Sequence, residues 1–139
     1  MLAAAGGPDV HPHAVSKAED RARWDSDMAN FNADLKKVEQ FFLDVVEGRL
    51  TAPEAIRNQA FSFFGIQGPW YTVGWKMAVT IEKTFGRDTL IACMLDPRKL
   101  LPTYNRAAAM YNHTATESLE LWSPSLIAAL ERGAPPPHR

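Results

Sequence analysis

The chain has 139 residues, a length that fits one domain. Its formal net charge of −1, with Lys and Arg scattered along it, argues against a nucleic-acid-binding protein and against an anionic membrane surface as partner. The start, MLAAAGGPDV, lacks the basic region of a signal peptide, and no apolar run approaches the roughly 20 residues of a membrane span. We therefore expect a soluble, cytoplasmic protein.

The first predicted element is a long amphipathic helix between Ser16 and Gly48. The segment SKAE is a capping box, with Ser16 at the N-cap and Glu19 three residues on. A kink is expected near Asn30 or Asn32. Apolar residues recur at alternating steps of four and three, which places them on one face: Trp24, Met28, Phe31, Leu35, Val38, Phe42 and Val45.

A second helix is predicted from the segment TAPE to about Phe64. Thr51 stands at the N-cap, Pro53 in the first turn and Glu54 at the third helical position. The following loop, FSFFGIQGP, is rich in Phe and Gly, and we expect it to clamp the start of the next helix.

The next helix is GPWYTVGWKMAVTIEKTFG, residues 68–86. Gly68 and Pro69 open it, and Gly86 closes it. Periodicity alone favours a core helix, in which Gly74 permits close contact with another helix. One face carries Tyr71, Gly74, Ala78, Ile81 and Phe85, with Glu82 at its edge.

Three shorter elements complete the chain. RDTLIACML is expected to be a short buried helix that holds the single cysteine, Cys93, as an inert thiol. Asp96 caps the next segment, with Pro97 at its first position, and Pro102 breaks or restarts it. SPSLIAALERG begins a last helix at Ser123.

These signals predict an all-α protein, a small bundle of about five to six helices, because strand-like alternation is absent from the sequence. Residues 1–15 are expected to be an irregular lead-in, residues 16–133 a single helical domain, and residues 134–139 a disordered tail.

The chemistry-bearing residues form no complete catalytic apparatus. His11 and His13 lie in VHPH without a Cys or acidic partner at ligand spacing, so a surface loop is favoured over a metal site. His113 is expected to be structural or exposed. The sequence contains no His-Glu-x-x-His, no paired-cysteine motif, no phosphate loop and no nucleophile elbow.

Residues 68–108 match an ordered pattern: G-P-x-Y-x-V-G-x-x-M-A-x-x-I-E, then G-R-x-x-L-I, then D-P-x-x-x-L-x-x-Y-N-x-A-A. With the preceding DLKKVEQFFLDVVEGRL, the chain resembles the C-terminal part of a bacterial family described as zinc-dependent peptidases and, alternatively, as a domain of unknown function. The resemblance covers roughly residues 20–115. It implies the helical subdomain of a gluzincin-like, zincin-type hydrolase.

The resemblance also implies roles for single residues. In zincins, His-Glu-x-x-His supplies two zinc ligands and the general base, and Glu-Gly-x-Ala supplies the third ligand. Tyr71 matches a tyrosine near the metal whose phenol can donate a hydrogen bond to the oxyanion, which makes it the candidate catalytic residue. The matching positions with expected structural roles are Gly68, Pro69, Gly74, Glu82, Gly86, Asp96, Pro97, Tyr104 and Asn105.

The ligand motifs themselves are missing from the sequence, so we expect no zinc or other cofactor in this chain and no peptidase activity from it alone. The Ala-rich start resembles the tail of the third-ligand helix. We therefore expect Met1 to be an internal methionine of a longer frame, through a truncated gene or a mis-annotated start.

Two further hypotheses remain. A free-standing helical interaction module or homo-oligomer would use apolar surface around Trp70, Trp75 and the Ala-rich start. An intact hydrolase with a novel site is disfavoured because no nucleophile and base are paired in the sequence. A peptide substrate is expected only if the missing half is supplied.

Overall fold

The computed structural model describes residues 7–133, which contain seven α-helices, one 3₁₀ turn and no strand. The all-α prediction is confirmed for these residues. Residues 1–6 of the predicted lead-in, and the predicted tail 134–139, lie outside them. The helices are α1 (Ala18–Ala29), α2 (Phe31–Val46), α3 (Pro53–Ser62), α4 (Pro69–Phe85), α5 (Arg87–Leu95), α6 (Leu100–Asn112) and α7 (Pro124–Gly133), with the 3₁₀ turn at Pro97–Lys99 before α6.

Seven helices are present where five to six were predicted because the first long helix is divided at Asn30. This residue has φ −90° and ψ 4°, outside helical geometry. Its side-chain amide donates to the carbonyl of Ser26 at 3.0 Å, in competition with the helix ladder. The kink predicted near Asn30 or Asn32 is thereby confirmed at Asn30.

The two predicted capping boxes are wrong in detail. The N-cap residues of α1 and α3 are Lys17 and Ala52, and neither caps with its side chain. The hydroxyl of Ser16 lies instead 3.1 Å from His13 Nδ1. Pro53 occupies the first turn of α3 as expected, since its missing N–H would have no helical partner there. That helix ends at Ser62, short of Phe64.

The helix α4 begins and ends where the sequence predicts. Gly68 is its N-cap and Gly86 its C-cap, with φ +84° at Gly86. Such a positive φ strains any residue with a Cβ, so glycine suits the tight passage from α4 into α5.

The elements after α4 depart from expectation at two places. In α5, Leu90 and Cys93 are buried, but Leu95 is 83% exposed, so the prediction of a buried helix is only partly right. Pro102 neither breaks nor restarts α6, because it lies in the first turn, where backbone N–H groups lack helical acceptors.

The core surrounds α4, which packs against α1, α2, α5 and α6. Burial of its side chains supplies the main driving force for folding, at about 25 cal/mol per Å² of apolar surface. The buried core cluster consists of Phe31, Leu35, Val38, Val73, Met77, Ala78, Ile81, Leu90, Tyr104, Ala107, Ala108, Trp122 and Leu126. Within residues 7–133, no helix is both long and apolar enough to cross a membrane.

Candidate functional site

Tyr71, the candidate catalytic residue, lies in the first turn of α4 and faces outward. Its side chain is 52% exposed, and its hydroxyl forms no hydrogen bond with any residue in 7–133. The ring packs against Phe64 at 6.0 Å between centroids. The hydroxyl is therefore free to donate to a group that arrives from outside the described chain.

Tyr71 belongs to an exposed apolar surface formed with the loop between α3 and α4. Phe61 contacts Phe64 at 5.9 Å between ring centroids, and Phe64 contacts Tyr71. Ile66 in the same loop is 81% exposed. We call Phe61, Phe64, Ile66 and Tyr71 the aromatic patch.

Trp70 and Trp75, around which exposed apolar surface was expected, are half-buried and contact other residues. The Trp70 indole N–H donates to the Ala60 carbonyl at 2.7 Å, which ties the start of α4 to α3. Trp75 packs edge-to-face on Trp24 at 5.3 Å between ring centroids. Apolar surface is therefore exposed at the aromatic patch rather than around Trp70 and Trp75.

Gly68 holds this surface in place through close backbone contact. A Cβ added at Gly68 would lie 2.2 Å from the Phe63 carbonyl oxygen and 2.6 Å from that of Phe64. The Gly68 N–H also donates to Phe64 O at 2.7 Å. Pro69 then begins α4 with its φ already helical.

Gly74 does not make the close helix contact that its spacing suggested. A Cβ added there would meet nothing within 4 Å. Gly74 borders an open apolar cavity of about 180 Å³ that lies between α2, α4 and α6 and is also lined by Trp70 and Trp122. A close-packing role at Gly74 is left as a prediction about elements outside the described residues.

Glu82 joins the end of α4 to the start of α5. Its carboxylate is buried and pairs with Arg87 at 3.1 Å across the turn at Gly86. The other carboxylate oxygen of Glu82 is buried and has no hydrogen-bond partner among the described residues. This placement makes Glu82 an anchor of the turn between α4 and α5.

Asp96 and Pro97 shape the turn between α5 and α6. The Asp96 carboxylate accepts a hydrogen bond from the Arg98 backbone N–H at 3.3 Å and two from its guanidinium. These bonds, chiefly those from the Arg98 side chain, hold the pKa of Asp96 below its usual value. Asp96 and Arg98 are therefore paired with each other in this turn.

Tyr104 and Asn105 project from α6 onto residues 118–123, a segment without helix or strand that we call the strap. The Tyr104 hydroxyl donates to the Glu120 carbonyl at 2.9 Å. The Asn105 side chain donates to the Trp122 carbonyl at 2.8 Å and accepts from the Trp122 N–H at 2.9 Å. Burial, with a smaller contribution from Glu120, raises the pKa of Tyr104 above its usual value, so its hydroxyl remains a donor.

The sequence did not reveal four further residues that hold the strap. Asn32 donates to the Ser118 carbonyl and accepts from the Glu120 N–H, at 2.9 and 2.8 Å. Asn112 clamps the two backbone groups of Leu119 in the same way, at 2.9 and 2.7 Å. Lys36 and Glu39 of α2 complete the set. We call Asn32, Lys36, Glu39, Tyr104, Asn105 and Asn112 the polar groove.

Lys36 and Glu39 form the charged end of the groove. The Lys36 ammonium donates to the Leu121 carbonyl at 2.6 Å and to Glu39 at 2.8 Å, and Glu39 also accepts from the Ser123 N–H. Burial alone would raise the pKa of Glu39, but the hydrogen bonds from Lys36 and Ser123 outweigh it and lower the pKa. Contacts between residues more than 80 positions apart leave no local sequence signal.

The histidines of VHPH lie against the fold rather than in a free loop. His11 Nε2 lies 3.1 Å from Asp25 Oδ1, and His13 contacts Gln67 at 2.9 Å and the Trp24 ring. No group of three or more His, Cys, Asp or Glu side chains that could hold a metal ion occurs among residues 7–133. The described residues therefore do not fit a zinc site, and no step is assigned to zinc.

Comparison with known proteins agrees with the sequence resemblance. A model of the family described as putative zinc-dependent peptidases, domain of unknown function 5700, matches residues 3–113. No curated protein and no solved structure gives a significant match. The match takes in α1 through α6 with Tyr71 and the polar groove, and ends before the strap. The chain belongs to this family of putative zinc-dependent peptidases.

Proposed function

We propose that the chain forms the helical part of a zinc-dependent peptidase of the zincin type and presents Tyr71 to the substrate. The observation that carries this proposal is the exposed Tyr71 hydroxyl, without a partner in residues 7–133, at a position inside the family match. The surrounding aromatic patch gives an extended peptide an apolar surface to lie against.

The chemical role of Tyr71 follows from its phenol. A neutral O–H donor strengthens its hydrogen bond as negative charge develops on the carbonyl oxygen that is attacked. Loss of one such donor typically costs about 10²–10³ in rate. Zinc ligands and a general base are not supplied by the described residues, so these 139 residues are proposed to be inactive by themselves.

Peptide titration followed by NMR tests the placement of Tyr71. Unstructured casein peptides are expected to shift the ring signals of Tyr71, while Tyr111, which is 44% exposed on α6, serves as the internal control. The assignment is checked with Tyr71→Phe. Shifts at Tyr111 alone, or at neither ring, would contradict the proposed substrate face.

The proposed inactivity is tested with a quenched fluorescent peptide mixture and excess zinc. We expect the same rate with the wild-type chain, the Tyr71→Phe variant and buffer. Chelator-sensitive cleavage that falls about 10²–10³-fold in Tyr71→Phe would show that the chain is a complete enzyme.

A second candidate function, self-association, is supported by the aromatic patch. Phe61 at the end of α3 is 63% exposed and Ile66 in the following loop is 81% exposed, and exposed apolar patches favour association. Light scattering across concentration is expected to show dimers for the wild type and fewer for the Phe61→Ser, Ile66→Ser double variant. A wild-type chain that stays monomeric at high concentration would remove this candidate.

A further inference from the structure

The strap is held by hydrogen bonds to its backbone in addition to the packing of its apolar side chains. Nine hydrogen bonds link side chains of the polar groove to backbone N–H and C=O groups of residues 118–123. Every peptide carries these backbone groups. The groove can therefore bind an extended peptide backbone with little dependence on most of the peptide's side chains.

Asparagine pairing gives this recognition a defined register. Asn105 and Asn112 each bind both the N–H and the C=O of a single strap residue, and Asn32 bridges two residues of the strap. Such paired bonds are what an adjacent β-strand would offer to an extended peptide. Here helices α2 and α6 supply the same pattern with side chains.

The strap side chains add a simple selectivity pattern. Leu119 and Leu121 are partly buried against the core, while Glu120 between them is exposed and pairs with the Lys36 ammonium at 3.5 Å. Trp122 is 2% exposed and anchors the end of the strap. The groove therefore accepts, in succession, an apolar residue, an exposed residue that can pair with Lys36, an apolar residue and an aromatic residue.

The fit of Trp122 is incomplete in two respects. Its indole N–H is buried and has no hydrogen-bond partner within residues 7–133. The open apolar cavity of about 180 Å³ lies beside it. An unpaired buried donor weakens the hold of the strap on its own groove.

The groove and the strap also differ in their relation to the family. All six groove residues lie inside residues 3–113, which match the family model, whereas the strap lies beyond them. The site is therefore built by one part of the chain and filled by another.

We propose that the polar groove is a binding site for an extended peptide of the pattern Leu-x-Leu-Trp, and that the strap is its displaceable internal occupant. The strap is tethered to α6 by the short loop 113–117, which gives it an effective concentration in the millimolar range. A free peptide therefore enters only when the strap is weakened. This inference concerns peptide binding alone and does not depend on zinc or on Tyr71.

The experiment uses the full chain and a fluorescent peptide with the sequence of residues 116–124, TESLELWSP. Anisotropy is expected to show binding to Trp122→Ala at least 10-fold tighter than to the wild type, because the variant empties the aromatic anchor position. Adding Asn105→Ala to Trp122→Ala is expected to weaken binding at least 10-fold. Circular dichroism confirms that the helices remain.

Methylated peptides separate backbone recognition from apolar adhesion. N-methylation at the position of Trp122 blocks the donor to Asn105 and is expected to weaken binding at least 10-fold. The matched control is methylation at the position of Leu121, whose N–H donates to none of the described residues. This change is expected to weaken binding less than 3-fold.

Three results would overturn the proposal: no peptide binding by a helical Trp122→Ala, equal loss with both methylated peptides, or a wild-type dimer with exchanged straps that binds no free peptide. If Trp122→Ala loses its helices, a chain with a protease site in loop 113–117 replaces it. After cleavage, exchange with labelled peptide supports the site, and failure to exchange overturns it.

Discussion

The start of α4 and the polar groove present opposite surfaces. The aromatic patch beside the start of α4 is exposed, and the Tyr71 hydroxyl has no hydrogen-bond partner among residues 7–133. In the groove, side chains bind nine of the twelve backbone N–H and C=O groups of the strap. The first surface is open to a partner, whereas the second is filled by a segment of the same chain.

The largest effect is expected at Gly68, which sets the geometry of the first surface. Gly68→Ala would force a Cβ against the carbonyl oxygens of Phe63 and Phe64, and we expect a loss of about 3 kcal/mol in the free energy of unfolding. Gly74→Ala is the matched control. It meets no atom within 4 Å and should stabilise α4 by about 0.5–1 kcal/mol. Urea denaturation measures both, and equal effects would refute the assigned contact.

The next largest effect on stability is expected in the polar groove. Asn105→Ala leaves the N–H and C=O of Trp122 without their partner, and we expect a loss of about 2 kcal/mol. Asn58→Ala, on the exposed face of α3, serves as control and should change stability by less than about 0.5 kcal/mol. Thermal unfolding distinguishes them, and a neutral Asn105→Ala would mean that the strap is held by its apolar side chains alone.

Acid should loosen the groove through Glu39. Its pKa is lower in the folded chain than the usual value near 4.3, so its stabilising contribution is complete above that value and is lost as the pH falls through the folded pKa. Between pH 6 and pH 3 the wild type should therefore lose more stability than Glu39→Gln. Denaturant titration at each pH measures the free energy of unfolding. An equal loss in both chains would contradict this expectation.

The smallest effect on stability is expected at the aromatic patch. Phe61→Ser removes an exposed ring, so the free energy of unfolding should change by less than about 0.5 kcal/mol. A loss above 2 kcal/mol in denaturation would show that the patch belongs to the core and faces no partner.

Local signals predicted the helices well and the contacts between them poorly. The bounds of α4 follow from Gly68, Pro69 and Gly86, because a cap and a positive φ are properties of single residues. Ser16 was misassigned because His13, rather than a helix N–H, lies beside its hydroxyl. The correct bounds of α4 and the wrong cap at Ser16 both depend on residues that are close together in the sequence.

Tyr71 and the strap show why the functional sites were harder to predict from the sequence than the helices. Periodicity grouped Tyr71 with buried Ala78 and Ile81, but Tyr71 is 52% exposed, although its neighbours Thr72 and Val73 are buried. The strap carries no helical or strand period, and its bonds join residues as far apart as Asn32 and Ser118. The family pattern nominated Tyr71 and Asn105 without showing what either contacts.

The most direct test of the central claim is the zinc stoichiometry of the purified chain. Native mass spectrometry after incubation with zinc and dialysis should find less than about 0.1 zinc per chain, because residues 7–133 offer no cluster of three ligands. One zinc retained per chain, and lost with His11→Ala or His13→Ala, would contradict the proposal that these residues supply only the helical, substrate-facing part of a peptidase.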